Sequence, residues 1–193
     1  PEGASVGVVK NLSYMTHITI PSNSNPIYEY IIKDVIKLDE VRSEELDKYV
    51  KVFVNGAWIG ITKNPYELFT SFQQKKYKGV INIYTSIIFN YKYKEIRICN
   101  DAGRLVRPVL RVNNNKILLN NDIVTKVSNN ELNWNDLLVN CKIDDSIIEY
   151  IDPEEQNFSM IAMKPSELAI KDNQYMYKYT HCEIHPSTIF GIL

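Results

Sequence analysis

Glycine is scarce in this chain, at seven of 193 residues, and the seven never fall into the spacing with which a loop cradles phosphate. Gly56 and Gly60 sit in what reads as a hairpin, with neither a GxGxxG pattern nor a following Lys-Ser/Thr, so a standard nucleotide-binding loop is excluded. Cysteine is scarcer still. Cys99, Cys141 and Cys182 are odd in number and show no paired spacing, which excludes a disulfide framework or zinc ribbon and marks all three as reduced packing residues. No apolar run approaches the roughly 20 residues of a bilayer span, and no basic-then-apolar leader opens the chain. A cytosolic or nuclear compartment is expected. An excess of positive charge is also lacking: 22 Lys and Arg against 23 Asp and Glu leave a net charge of -1. Phosphate binding is driven by clustered Lys and Arg, so any nucleic-acid role has to be local or borrowed from partners.

What is present is an ordinary globular composition, 45% hydrophobic and 23% charged, in a chain long enough for one generous domain or two small ones. An excess of Asn, Ile, Lys and Tyr points to AT-rich coding. The chain opens on Pro1-Glu2-Gly3 and closes on the apolar run Ile189-Phe190-Gly191-Ile192-Leu193, so a fragment of a longer chain is expected.

The pattern along the chain predicts an α+β fold of two small mixed units in series, divided near residue 105. In the first unit, Met15 to Ile20 reads as a strand, and Ile27, Ile31, Val35 and Leu38 share one helical face behind Pro26. Val50 to Val54, Asn55-Gly56 and Ala57 to Ile61 form the strongest hairpin signal, because Asn-Gly accepts the positive φ angles of a type I′ turn. Asn64-Pro65 opens a helix to about Lys78, burying Leu68, Phe69 and Phe72; Val80 to Phe89 and Glu95 to Cys99 read as strands. In the second unit, strands are expected at Leu105 to Val112, Lys116 to Leu119, Ile147 to Ile151 and Phe158 to Met163. Helices are expected near Asp122 to Val127, Trp134 to Val139 and Pro165.

Four groups of residues could carry chemistry. His181-Cys182-Glu183-Ile184-His185 places two His four apart, but Glu does not follow the first His as in zinc metalloproteases, and Pro186 disfavours a helix there. As an extended segment it would put His181, Glu183 and His185 on one face without an evident further ligand. Cys182 or Cys141 with His17 has no supporting spacing for a nucleophile and base, and buried structural cysteine is the commoner state. Asp152-Pro153-Glu154-Glu155, with Asp144-Asp145 upstream, could hold magnesium but reads better as a solvated turn. Lys75, Lys76 and Lys78 around Tyr77, and Lys92 and Lys94 among Tyr91 and Tyr93, could touch a nucleic-acid backbone; a solvated helix end and bend are the simpler reading.

Five strings in order then carry a resemblance. They are Pro1-Glu2-Gly3 with Gly7-Val8-Val9-Lys10-Asn11-Leu12; Val52-Phe53-Val54-Asn55-Gly56-Ala57-Trp58-Ile59-Gly60; Asp101-Ala102-Gly103-Arg104 with Arg107-Pro108; Glu149-Tyr150-Ile151-Asp152; and Tyr179-Thr180-His181-Cys182-Glu183-Ile184-His185-Pro186-Ser187. Together they resemble the second-largest, beta-type subunit of multisubunit DNA-directed RNA polymerases, in its eukaryotic, archaeal or large-DNA-virus form. Their order across the whole chain, more than any one string, makes the resemblance specific.

The resemblance implies a piece excised from a larger multidomain subunit: the end of the fork region at 1–14, the first external domain at 15–105, the second at 106–170, and the start of the hybrid-binding region at 171–193. It implies that Glu2, Lys10 and Asn11 lie nearest nucleic acid, that no residue here is catalytic, and that His181 and His185 are structural. Magnesium would belong to the assembled enzyme, held mainly by Asp residues of the largest subunit and not by this chain. The implied partners are the largest subunit, the other polymerase subunits, template DNA and the RNA–DNA hybrid, with no membrane. The implied location is the nucleus or cytoplasm, or a viral factory or virion if the source is a large DNA virus. The family's nucleotide-contacting Arg and active-centre lysines would follow Leu193. The sequence departs from the family at Ala4, where many cellular relatives have Gln, and in the acidic run interrupted by Pro153 and Gln156. The second external domain is short, at Asn113-Asn114-Asn115 and near Asn173. Outside the resemblance, a stand-alone metal-dependent hydrolase using His181, Glu183 and His185, or a non-enzymatic interaction module, are the alternative readings.

Overall fold

A computed structural model describes residues 11–46, 48–139, 146–169 and 178–189. Strand β1 (His17–Ile18) is followed by helix α1 (Asn25–Asp34), which Pro26 opens from its first turn and which buries Ile27 and Ile31 four residues apart. The helix stops earlier than its apolar spacing suggests. Val35 is extended, at φ -123° and ψ 134°, and leads into strand β2 (Ile36–Lys37), so Val35 reaches the core from extended chain just before that strand and Leu38 falls in a short 3₁₀ turn.

Strands β3 (Val50–Val54) and β4 (Ala57–Thr62) form the expected hairpin, with Asn55 at φ 48° and Gly56 at φ 81°. Gly60 serves a different end. A Cβ there would lie 2.2 Å from the Ile36 carbonyl oxygen, so only glycine lets β2 lie against β4. Helix α2 (Pro65–Tyr77) follows, then β5 (Ser86–Asn90) and β6 (Glu95–Cys99). Strand β5 is shorter than the apolar run from Val80 because the Asn82 side chain and carbonyl accept the amides of Tyr84 and Thr85, turning the chain before Ser86. The five-stranded sheet runs β2-β4-β3-β6-β5. Its core joins Ile27, Ile31, Val52, Val54, Leu68, Phe72, Ile87, Ile96 and Ile98.

The second sheet is organised by β7 (Leu105–Asn113), whose nine residues offer enough edge for four partners. These are β1, β8 (Lys116–Ile117), β9 (Ile148–Ile151) and β11 (His181–Cys182); β10 (Ile161–Ala162) pairs with β11 in parallel. Helices α3 (Asn121–Ser128) and α4 (Trp134–Leu138) precede β9, and α5 (Pro153–Asn157) follows it. A second core gathers Leu110, Leu137, Leu138, Ile147, Ile148, Ala162, Leu168 and Cys182.

The fold is therefore α+β with two sheets and two cores. The chain does not fill them strictly in turn, since β1 pairs with β7 through His17 opposite Val106 and Ile18 opposite Leu105. Two other expectations are corrected. The apolar stretch Phe158 to Met163 forms only the two-residue β10, with Phe158 ending α5. Asp152-Pro153-Glu154-Glu155 is not a solvated turn: Asp152 caps α5, its side chain accepting the Glu155 amide at 2.7 Å, and both acids are buried.

Candidate functional site

Where the two units meet, a charged cluster is buried between their cores. Helix α2 places Leu68, Phe72 and Lys76 four residues apart on one face, and all three are buried. The Lys76 ammonium, from a side chain 3% exposed, reaches the second unit: Glu149 Oε1 of β9 at 2.9 Å, Glu155 Oε1 of α5 at 3.2 Å and the Tyr150 carbonyl at 2.9 Å. Three acceptors match the three protons of the ammonium, as a buried cation requires. Glu149 uses its other oxygen, Oε2, to accept from His181 Nε2 of β11 at 2.9 Å. Glu155 Oε1 also accepts the Ile87 amide of β5 at 2.9 Å.

A second layer flanks this cluster. The Ser86 hydroxyl donates to Asp152, and Arg104 donates through Nη1 to Ser86 Oγ at 2.7 Å and through Nη2 to the Tyr84 carbonyl at 2.9 Å. Its Nε pairs with Asp101 at 2.8 Å. On the other side the Arg111 guanidinium stacks 3.5 Å above the Tyr77 ring and donates to the Ser146 carbonyl at 2.6 Å.

Burial and charge act against each other here. Burial alone would push the Lys76 ammonium down, but the two carboxylates outweigh it and hold it above its usual range. Burial would likewise raise Glu149, yet Lys76 and His181 hold its carboxyl well below the usual carboxylate range. For Glu155 burial wins, helped by the charges of Glu149 and Asp152, and the carboxyl is pushed up to about 7 despite Lys76. Burial followed by Glu149 raises the Tyr77 phenol well above its usual value. The arrangement suits docking of one unit on the other: each charge is spent on a neighbour in the same chain.

Comparison with known proteins gives these residues their setting. Two family models match, RNA polymerase Rpb2, domain 4, over residues 52–113 and RNA polymerase Rpb2, domain 5, over residues 134–186, together well over half of the chain. The chain belongs to the RNA polymerase second-subunit family. It is similar along its whole length to the DNA-directed RNA polymerase II subunit RPB2 of Encephalitozoon cuniculi, at 38% identity, and to the DNA-directed RNA polymerase subunit 2 of Acanthamoeba polyphaga mimivirus, at 33%. It is 34% identical to the DNA-directed RNA polymerase II subunit 2 of Arabidopsis thaliana, again over all of its length. The chain spans only 17%, 18% and 16% of these three relatives.

The strings that carry the polymerase resemblance converge in this fold. Arg104 from the third, Glu149 and Asp152 from the fourth and His181 from the fifth all belong to the junction. The second string closes the β3–β4 turn. Asn55 Oδ1 accepts the Asn100 amide at 2.9 Å while its Nδ2 donates to Asn100 Oδ1 at 2.7 Å, locking the hairpin to the end of β6.

Of the residues expected near nucleic acid, Glu2 and Lys10 lie outside the described residues, as does Cys141. Asn11 is exposed and lines a cavity of about 150 Å³ with Arg107, Asp152 and Gln156. His181, Glu183 and His185 are not brought together as a metal site. His181 is held by Glu149 and Glu183 by Arg107 Nη1 at 2.6 Å, both buried, whereas exposed His185 accepts the Ser187 amide and caps a 3₁₀ turn. Among the described residues no group of three or more His, Cys, Asp or Glu is placed to hold a metal ion. The nucleophile-and-base pairing of His17 with Cys182 finds no support: the His17 ring stacks on Tyr84 at 4.6 Å and the Cys182 thiol donates to the Glu183 carbonyl at 3.5 Å. No helix among the described residues is long and apolar enough to cross a membrane.

Lys76 is the residue that sequence reasoning missed. Its neighbours Lys75 and Lys78 suggest a solvated helix end, whereas Leu68 and Phe72 mark its face as the buried one. The buried carboxylates that receive it come from 73 and more residues further along, which no local pattern reports.

Proposed function

We propose that this chain is part of the second-largest subunit of a DNA-directed RNA polymerase and contributes to DNA-templated RNA synthesis as scaffold and rim of the active centre. The observation that carries this is the match of the entire chain to polymerase second subunits of a microsporidian, a virus and a plant. The division into fork end at 1–14, external domains at 15–105 and 106–170, and start of the hybrid-binding region at 171–193 belongs to the same proposal. So does the placement of Glu2, Lys10 and Asn11 nearest nucleic acid.

In this reading the partners are the largest subunit, the remaining polymerase subunits, template DNA and the RNA–DNA hybrid. The enzyme works in the nucleus, in the cytoplasm or, for a viral source, in a viral factory or virion. Magnesium would supply the charge stabilisation that nucleotidyl transfer needs at the attacking and leaving oxygens. The junction residues do not suit it, because Glu149 and Glu155 already share the Lys76 ammonium and Asp152 is engaged by Ser86 and the cap of α5. In this reading the ion is held mainly by the largest subunit, and this chain supplies the shape on which sister elements dock.

The test is to supply the purified chain with primed template, nucleotides and magnesium. No RNA synthesis and at most weak, salt-sensitive DNA binding are expected; robust template-dependent synthesis by the chain alone would overturn the reading. Stoichiometric zinc in the purified protein, lost on His185→Ala, would favour the hydrolase instead.

A further inference from the structure

Glu149 holds two elements that belong to different parts of the fold. Oε1 takes the Lys76 ammonium of helix α2, in the first unit, and Oε2 takes the His181 imidazole of β11, the strand on which residues 183–189 continue. Both contacts are 2.9 Å and all three side chains are buried. We propose that Glu149 is the hub of an intramolecular latch, so that docking of the first unit on the second and seating of strand β11 are one event.

Three features of the geometry support coupling rather than two independent contacts. Glu149 lies on β9, which with β11 flanks β7: Leu110 faces Ile148 on one neighbour and Cys182 on the other. A shift of the Glu149 carboxylate therefore acts on β11 through the sheet as well as through His181. Second, a buried carboxylate deprived of its cation either takes up a proton or draws in water, and each response alters what it can accept from His181. Third, β11 is short, and His181 is one of the few side chains that fix it. It is two residues long, and its ladder consists of two positions on β7 and two on β10, extended by the Thr180 and His181 amides to the Met160 carbonyl and the Glu183 amide to the Ala162 carbonyl. Cys182 is buried in the second core, and the His181–Glu149 contact and the Glu183–Arg107 ion pair anchor the residues on either side of it. Loss of one of these anchors from so short a strand favours its local opening.

The groups that face Glu149 are Lys76 and Tyr77 from α2, Glu155 from α5 and His181 from β11, with Arg111 of β7 beyond Tyr77. Among the described residues Lys76 and Tyr77 both reach Glu149 from the first unit, and Lys76 is the one that brings a full positive charge directly onto the carboxylate, so it is the chief means by which that unit is sensed. This coupling is a property of the chain's own fold and holds whether or not the polymerase reading does.

The experiment is backbone hydrogen exchange, read by peptide mass spectrometry on the 193-residue chain, comparing wild type with Lys76→Met and with Lys78→Met as the exposed control at the C-terminal cap of the same helix. Exchange in peptides covering residues 84–89 and 179–184 should accelerate together by about tenfold or more in Lys76→Met, while the β3–β4 hairpin stays protected, and Lys78→Met should change none of them. Acceleration at 84–89 with 179–184 unchanged would overturn the latch. Equal acceleration of the hairpin would overturn it too, since no separate latch opening would then exist. Should Lys76→Met fail to fold, Ser86→Ala loosens the same junction through Asp152 without altering any group on Glu149, and the same paired response of 84–89 and 179–184 is required of it.

Discussion

Replacing Lys76 with methionine keeps most of the side-chain volume and deletes the ammonium, with its charge and its hydrogen bonds to Glu149, Glu155 and the Tyr150 carbonyl, so it isolates what the buried cation does. At an effective dielectric constant of about 20, opposite unit charges about 3 Å apart attract by roughly 5 kcal/mol. Lys76 has two such partners, at 2.9 and 3.2 Å. Desolvation of three charged groups offsets much of that attraction, and the assembled cluster contributes little net stability. Removing the cation alone is different, because Glu149 and Glu155 then remain buried without it, a situation that costs about 3–5 kcal/mol. The cost depends on pH. Glu155 is already pushed up to about 7 and can escape by taking a proton, so the loss should be near its full value at pH 8 and smaller by about 1 kcal/mol or more at pH 6. Urea unfolding followed by fluorescence measures it, with Trp58 reporting on the first unit and Trp134 on the second. A loss below about 1 kcal/mol at pH 8, or the same loss at both pH values, would refute the reasoning.

Three further outcomes follow from the same geometry. Between the unfolded value of 4.5 and the folded value of about 7, Glu155 is protonated in the folded chain and ionised in the unfolded one, so stability falls as pH rises, by about 3 kcal/mol across the window. Glu155→Gln should flatten that slope in urea titrations at stepped pH; an unchanged slope would assign it to another group. Gly60→Ala drives a Cβ to within 2.2 Å of the Ile36 carbonyl and should cost about 2 kcal/mol or more, measured as a lowered Tm, whereas a silent substitution would mean that β2 is free to move away. Arg104→Lys keeps the charge but cannot reach Asp101, Ser86 and the Tyr84 carbonyl with one ammonium; a loss of about 1–2 kcal/mol in urea is expected, and full stability would mean that the fork geometry is unimportant.

Much of the fold was legible because its signals are local. Asn55-Gly56 announces a hairpin through the φ angles it accepts, and the structure has both residues at positive φ. Pro26 and Pro65 mark helix starts for a reason that lies in the missing amide, and α1 and α2 begin there. Helix α3 and strands β6 and β7 fall within a residue or so of their expected bounds. The misses have local causes as well. Apolar spacing alone would carry α1 through Leu38, but the chain turns extended at Val35 and enters β2 at Ile36, where β4 offers an open edge beside Gly60.

The candidate site was much less legible. From Lys76, Asp152 and Glu155 the sequence suggests solvated charges, and from Glu149 only a place in a strand, since charged residues are almost always exposed unless paired. Pairing depends on what lies across the junction, and the partners are far apart in sequence.

The sequence by itself determined the family, the α+β class and most element positions, because these depend on neighbouring residues and on the order of short strings along the chain. Only the tertiary structure decided that the four charged side chains are buried, that β1 and β11 share a sheet with β7, and that the partner of His181 is Glu149. The physical reason is the same in each case. Whether a charge stays in water or enters the interior is settled by a partner brought up from a distant segment, and that partner is placed by packing between sheets rather than by anything adjacent in the chain.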